Sequence, residues 1–374
     1  MKIGLVCPYN IFKGGGVQEC VKAMQSELIK RGHEVLIITP RPRLVSAGND
    51  EDGIIFIGNA TDIKSPFHTT GQISGTVNYR MIDDILKSYK FDILHFHEPW
   101  VPILSRQILS RSTSKNVATF HAKLPETVVS RTIELVITPY TKSILKYLDS
   151  LTAVSDAAAE YVKILSNKEV SIIPNGIDLD KYRSINLKES VEKENTILFI
   201  GRLERRKGVK YLIRAFAELS KTNKNIKLII AGDGPDRNKL ELLVKSLGAS
   251  NVTFTGYVDE AMKHKLLASC SVFCSPALFG ESFGIVLLEA MAYGVPIVAG
   301  NNPGYVGVLK ERGQLSLVNP KDIPEFSRRL GMMMFDPELI DSWKNWSKDY
   351  VKQFSYQKIV DGYENLYKKI VKVK

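Results

Sequence analysis

Two stretches in the second half of the chain carry the residue types best suited to chemistry. FGESFGIVLLEA, residues 279–290, places two carboxylates, Glu281 and Glu289, eight positions apart. Between them Ser282, Phe283 and Gly284 read as the first turn of a helix that continues through Ile285. The first N–H groups of a helix have no partner within it and lie at its positive end, so this turn suits an anion. A carboxylate at each side of it could hold two sets of hydroxyls. Glu289 falls in an apolar run, where an acid without a partner is costly, so it calls for one. The alternative is a capped helix with an acid buried near its middle. GRLERRKG, residues 201–208, gathers Arg202, Arg206 and Lys207 between a strand and a helix. Cations there could neutralise a diphosphate leaving group. Alone, the segment reads more readily as a solvated basic turn.

The first half offers weaker signals. KGGGVQECVKAM, residues 13–24, puts three glycines before a helical pattern. A dinucleotide site needs G-x-G-x-x-G and an acid at the end of the second strand. The spacing differs here and the second strand ends in VLIITPRPR, so neither NAD nor FAD is expected. Gly15 and Gly16 either bare the helix N-terminus to an anionic ligand or form a tight turn with positive φ. HFHEPW and the later TFH close two strands with His95, His97 and His121. Strand alternation sets His95 and His97 on one face. No ligand spacing completes a zinc site, so no metal is expected. His95 reads as core, and His121, at a strand tip, as the one that meets substrate. Asp178 and Asp180 form a D-x-D pair in a linker, a pattern common by chance.

These residues must be held by elements that the hydrophobic pattern reveals. KIGLVC, HEVLIIT, IIFIG, FDILHFH, VATFH, LTAVS and SIIPN read as strands, with helical patterns such as YRMIDDILKSYK among them. Such alternation gives a parallel, doubly wound sheet. The pattern restarts after the charged stretch KESVEKEN, with TILFIGRL, IKLIIAG, VTFTG, VFCSP and PIVAG as strands. The fold class is therefore α/β, two Rossmann-like domains with parallel sheets facing a cleft. The domains span 1–175 and 176–354, with a basic final helix at about 355–374.

The 374 residues carry a formal charge of +11. The first 175 hold 20 Lys and Arg against 17 Asp and Glu, a net of +3, which leaves +8 for the rest. A basic surface favours anionic headgroups or a nucleotide sugar. No motif or aromatic-basic platform points to nucleic acid. Cys7, Cys20, Cys270 and Cys274 read as reduced buried thiols, and Cys270 and Cys274 share a helical spacing. No apolar run reaches a membrane span, and the N-terminus reads as a strand, so a cytoplasmic location is expected.

In order, GGVQ, HEP, TFH, AVSD, IPNGID, GRLERRKG, AGDGP and GESFGIVLLEAMAYGVP resemble the family 4 retaining glycosyltransferases, over nearly the whole chain. CPY with GGVQ, HEP and ATFH is most similar to the phosphatidylinositol mannosyltransferases that use GDP-mannose. The resemblance implies a GT-B fold, with an acceptor-binding first domain, a donor-binding second domain and a final helix crossing back to the first. It implies no bound cofactor, a nucleotide-sugar donor and a lipid acceptor at an anionic surface, on the inner face of the cell membrane. Gly16, Arg202, Arg206, Lys207 and Glu281 to Ile285 would hold the diphosphate and sugar, and Glu289 the ribose. Val258, Asp259, Glu260 and Lys263 would meet the base, and His121 with Glu281 would position the transferred sugar. Tyr9 and Gln18 would meet the inositol phosphate, with Asn59, Lys64 and Lys123 also on the acceptor side.

The chain departs from those mannosyltransferases at two places. Glu260 replaces an Asp that reads guanine. Gly58-Asn59 and Lys64 replace a Tyr-Asn pair and an Arg, exchanging a bidentate donor for a point charge. NATDIKSPFHTTGQISG makes a poor amphipathic helix because Pro and Gly interrupt it. The apolar ETVVSRTIELVITPY behind Lys123 is another lipid-facing candidate. The first competing reading is a family 4 transferase that uses another nucleotide sugar and another lipid or glycan acceptor. Behind it come a nucleotide-sugar epimerase, which would turn over without an acceptor, and a non-catalytic binding module, which sits poorly with an intact Arg202, Lys207 and Glu281.

Overall fold

The computed structural model describes residues 1–42, 53–64, 70–74, 79–123, 128–186 and 195–372. They form two compact units, one of Met1–Gly176 with the C-terminal helix Tyr356–Lys372, the other of Ile177–Ser355. Residues 187–194, within the expected linker, lie outside the described residues.

The first unit is built on an eight-stranded sheet. Its strands are β1 (Lys2–Val6), β2 (Glu34–Arg41), β3 (Ile54–Lys64), β4 (Thr70–Ser74), β5 (Ile93–His97), β6 (Lys115–Phe120), β7 (Ser150–Ala153) and β8 (Val170–Ile172). The order is β4-β3-β2-β1-β5-β6-β7-β8. β5 is buried at every position, as a strand covered on both faces must be. Helix Gly16–Lys30 buries Cys20, Val21, Met24 and Leu28, and helix Tyr356–Lys372 buries Ile359, Val360, Tyr363 and Tyr367 at the same helical spacing. Both stripes enter one core with Ile3, Leu5, Ile93 and Val117. Arg31 fastens the two helices, donating to Asp361 at 2.8 Å, Glu364 at 3.0 Å and the Gln357 carbonyl at 2.7 Å.

The parallel sheet carries one antiparallel edge. β3 runs on to Lys64 and pairs antiparallel with β4, so 59–75 is in part a pair of strands. In these strands β-branched Thr61, Ile63, Thr70 and Ile73 favour extended chain.

The second unit has β9 (Thr196–Ile200), β10 (Lys227–Ala231), β11 (Val252–Gly256), β12 (Val272–Ser275), β13 (Ile297–Gly300) and β14 (Leu317–Val318). All are parallel, in the order β11-β10-β9-β12-β13-β14. In each unit the strand order reverses beside the first strand, at β1/β5 and at β9/β12. Ligands of open α/β sheets bind outside the carboxyl ends of strands at such a point. Cys274 lies in β12 and Cys270 ends the preceding helix, so their four-residue spacing is not helical. All four cysteines are buried free thiols.

Candidate functional site

In the second unit, β9 leads into a 3-10 turn, Arg205–Lys207, and then helix Val209–Thr222. Gly208 joins the two at φ 70°, and a Cβ there would stand 2.0 Å from the Pro276 carbonyl oxygen, so only glycine fits. This close approach brings the turn against the segment after β12, where the Leu278 N–H donates to the Arg206 carbonyl at 2.8 Å. Glu281 Oε1 then lies 2.5 Å from Arg206 Nη1 and 2.8 Å from Lys207 Nζ. Arg206 Nε also meets Glu204 at 2.7 Å, and the more exposed Arg202 lies 3.9 Å from Glu204. Tyr305 is buried below this group. Its hydroxyl pairs with Ser275 at 2.7 Å, and burial, reinforced by Glu281, raises its pKa well above the ordinary value.

The helix after Glu281 begins later than the pattern implies. It spans Ile285–Ala292, and Ser282 and Phe283 precede it. Gly284, at φ 103° and ψ 56°, cannot continue a right-handed helix, and the Tyr305 ring occupies the space of any Cβ there. The free N–H groups of the first turn therefore start at Ile285, and Glu289 sits about one turn in rather than two.

Glu289 has the partners that its burial requires. Its Oε1 accepts from Lys263 Nζ at 2.7 Å and from the Tyr182 hydroxyl at 3.1 Å. Lys263 also meets Glu260 at 2.8 Å, and Lys181 lies 3.5 Å from Glu260. Burial pulls Lys263 down, but Glu289 and Glu260 outweigh it and hold the ammonium above its ordinary pKa. Tyr182 was not singled out in the sequence; its ring stacks edge-on against His264 and Tyr293. Asp259 caps helix Glu260–Ser269 through the Met262 N–H at 2.8 Å, and Val258 is half-buried just before it. Asp178 accepts from the N–H groups of Asp180 and Lys181 at 3.2 Å, so the D-x-D pair starts a helix.

In the first unit Tyr9, Gly16 and Gln18 follow β1, and His121 and Lys123 follow β6. Gly16 opens helix Gly16–Lys30 behind Gly15, whose φ of 171° is extended. Gly14, Gly15 and Gly16 all lie outside the left-handed region, so the tight-turn reading falls. Gln18 and Tyr9 are half-buried nearby in sequence. Asn59 is exposed on β3, Lys64 ends that strand, and Lys123 reaches Glu160 at 3.1 Å.

The histidines are buried, His95 and His97 completely and His121 with 8% of its surface exposed. His95 bonds Tyr367 through Nδ1 and Thr119 through Nε2, both at 2.6 Å. His97 Nδ1 and His121 Nε2 are 2.9 Å apart. Burial keeps all three neutral, His95 near a pKa of about 3, His121 near about 4 with Asn175 opposing, and His97 well below its ordinary value. Glu98, at φ 50°, accepts the backbone N–H groups of His121 and Ala122 at 2.6 Å each. Burial pushes its carboxyl up to about 8 against those bonds and the Trp100 contact. His97 and Glu98 thus hold His121 by ring and backbone, a role that only three-dimensional pairing reveals.

Helix packing also brings Cys20 close, so that ligand atoms of Cys20, His97 and His121 lie within 4.8 Å of one another. Sequence spacing does not mark this trio. Burial raises the Cys20 thiol to about 12, which disfavours the thiolate a metal needs. Among the described residues no helix is long and apolar enough to cross a membrane.

Residues 14–181 match the family described as Glycosyltransferase Family 4, and residues 181–349 match Glycosyl transferases group 1. A phosphatidyl-myo-inositol mannosyltransferase of Mycolicibacterium smegmatis is 32% identical over 341 residues, covering 91% of this chain and 86% of the relative. Among solved structures, the sucrose-phosphate synthase of Thermosynechococcus elongatus superposes with a TM-score of 0.73 at 20% identity, over 100% of both chains. Anabaena HepE, solved with UDP and glucose, gives a TM-score of 0.72 at 16% identity, over 99% of this chain and 100% of that one. The architecture is that of the GT-B glycosyltransferases, two parallel-sheet α/β units. Sequence kinship along nine-tenths of the chain gives the fold its chemical family: the protein belongs to the family 4 glycosyltransferases.

Proposed function

We propose that the protein transfers mannose from GDP-mannose to a phosphatidyl-myo-inositol acceptor at an anionic membrane surface, with retention at the anomeric carbon. The observation that carries the transferase chemistry is Glu281 set between Arg206 and Lys207, beside the free N–H groups that start at Ile285. In this reading the two cations and those N–H groups take the diphosphate, and Glu281 turns to the hydroxyls of the sugar. Glu289, held by Lys263 and Tyr182, accepts from the ribose hydroxyls. Glu260 accepts from the guanine edge, with Val258, Asp259 and Lys263 beside it. The names of the relatives support mannose and inositol lipid as substrates. Tyr9, Gln18, Asn59, Lys64 and Lys123 serve the acceptor.

The bond from sugar C1 to the phosphate oxygen breaks as the bond from the acceptor oxygen to C1 forms. The acceptor proton passes to an oxygen of the departing diphosphate on the same face, and GDP leaves. No carboxylate is assigned as a nucleophile, and a trapped glycosyl-enzyme adduct would contradict this step. His121 orients the transferred sugar.

The test is a donor screen with purified protein and vesicles containing phosphatidylinositol, followed by sugar in the lipid phase. Transfer from GDP-mannose with an α linkage is expected. Hydrolysis of GDP-mannose without lipid labelling would keep the donor and discard the inositol lipid. Transfer from a uridine donor alone would discard GDP-mannose.

A further inference from the structure

The contact between His97 and His121 determines more than proximity. Both rings are buried and neutral, so one nitrogen of the pair donates and the other accepts. Either His97 carries its proton on Nδ1 and donates to His121, or His121 carries its proton on Nε2 and donates to His97. The other nitrogen of His97, Nε2, is buried with no hydrogen-bond partner among the described residues. In the first arrangement that nitrogen is a bare lone pair; in the second it is a buried N–H with nothing to accept it. Orphaned buried N–H groups are the rarer and costlier defect.

We infer that His97 is a positioning residue for His121: its Nδ1–H donates to His121 Nε2 and so fixes His121 as the tautomer protonated on Nδ1. His121 then presents an N–H from Nδ1, and its Nε2 is withdrawn from substrate. Glu98 completes the hold by fixing the backbone of His121 and Ala122. The tautomer assignment stands on the ring contact, the burial of both rings and the unpartnered His97 Nε2; its effect on transfer rests on the role proposed for His121 above.

Side-chain nitrogen NMR of protein labelled with ¹⁵N-histidine tests both parts, with His97→Asn and His97→Gln beside the wild type. Asn keeps an amide where Nδ1 stands, and Gln moves it to where Nε2 stands. The expected result is a wild-type His121 protonated on Nδ1, kept in His97→Asn and shifted toward the Nε2–H form in His97→Gln. In the transfer assay His97→Gln should lose kcat by roughly 30- to 100-fold with the donor KM within about twofold, while His97→Asn stays within about fivefold of wild type. A wild-type His121 protonated on Nε2 would overturn the assignment. So would resonances of His97 and His121 that both move on adding one equivalent of zinc, which would make the trio a metal site. Equal kcat in wild type and both variants would remove the positioning role. If the NMR result holds while no sugar transfers, the tautomer stands and the proposed function fails.

Discussion

The two units hold the side chains of their candidate sites by opposite means. In the second, the acids are matched by cations: Glu281 by Arg206 and Lys207, Glu289 by Lys263. In the first, His95, His97 and His121 are neutral and bonded to hydroxyls or to one another. A charge-paired site can exchange partners, so an anionic ligand can displace a carboxylate from its cations at modest cost. A neutral, enclosed site cannot accept charge cheaply, since burial in low dielectric penalises it. The second unit is therefore suited to binding and stabilising a diphosphate, and the first to orienting groups without ionising.

Four experiments break or sharpen that contrast. Replacing Lys207 by Ala removes a cation that the proposed reaction sets against the leaving group, and kcat should fall by about 10³-fold; a drop of less than tenfold in the transfer assay would place the leaving group elsewhere. The next effect is on acid stability. The folded pKa values of the three histidines lie below the ordinary 6.5, so the unfolded chain binds more protons below that value and stability falls as pH falls. Glu98, with its folded pKa raised to about 8, opposes one of those protons below pH 6.5. The net of about two protons gives a loss of about 3 kcal/mol per pH unit near pH 5.5. Hydrogen exchange read by mass spectrometry should show the first unit opening before the second, and the reverse order would refute the contrast.

Third, Lys263→Met leaves Glu289 with only the Tyr182 hydroxyl, which should cost about 3 kcal/mol in urea unfolding. The double variant with Glu289→Gln should recover most of it; no recovery would mean that the pair does not act as a pair. Last, His121→Ala should lower transfer by about 100-fold. Because it leaves the charged unit intact, the donor KM should change little.

Much of this was legible before the coordinates. Alternating apolar runs gave both sheets, since buried parallel strands and their crossover helices leave a strong pattern. Glu289 announced its need for a partner because an acid in an apolar run cannot stay bare. The chain could not say that the partners are Lys263 and Tyr182, which lie 26 and 107 positions away. The start of the helix at Ile285 was misread because a left-handed Gly284 looks like any glycine in a string of letters. The run of β3 to Lys64 and the strand Thr70–Ser74 were missed because the helix-breaking residues of that stretch were read only for what they forbid. Cys20, His97 and Glu98 meet His121 through packing of a helix on a sheet, and no local spacing encodes that.

Calorimetric titration with GDP of the wild type, Glu289→Gln and His121→Ala bears most directly on the division of labour between the units. Wild type should bind GDP with a Kd in roughly the micromolar range, Glu289→Gln at least about tenfold more weakly, and His121→Ala like wild type. If His121→Ala lost GDP while Glu289→Gln kept it, the assignment of the donor to the charged unit would be wrong.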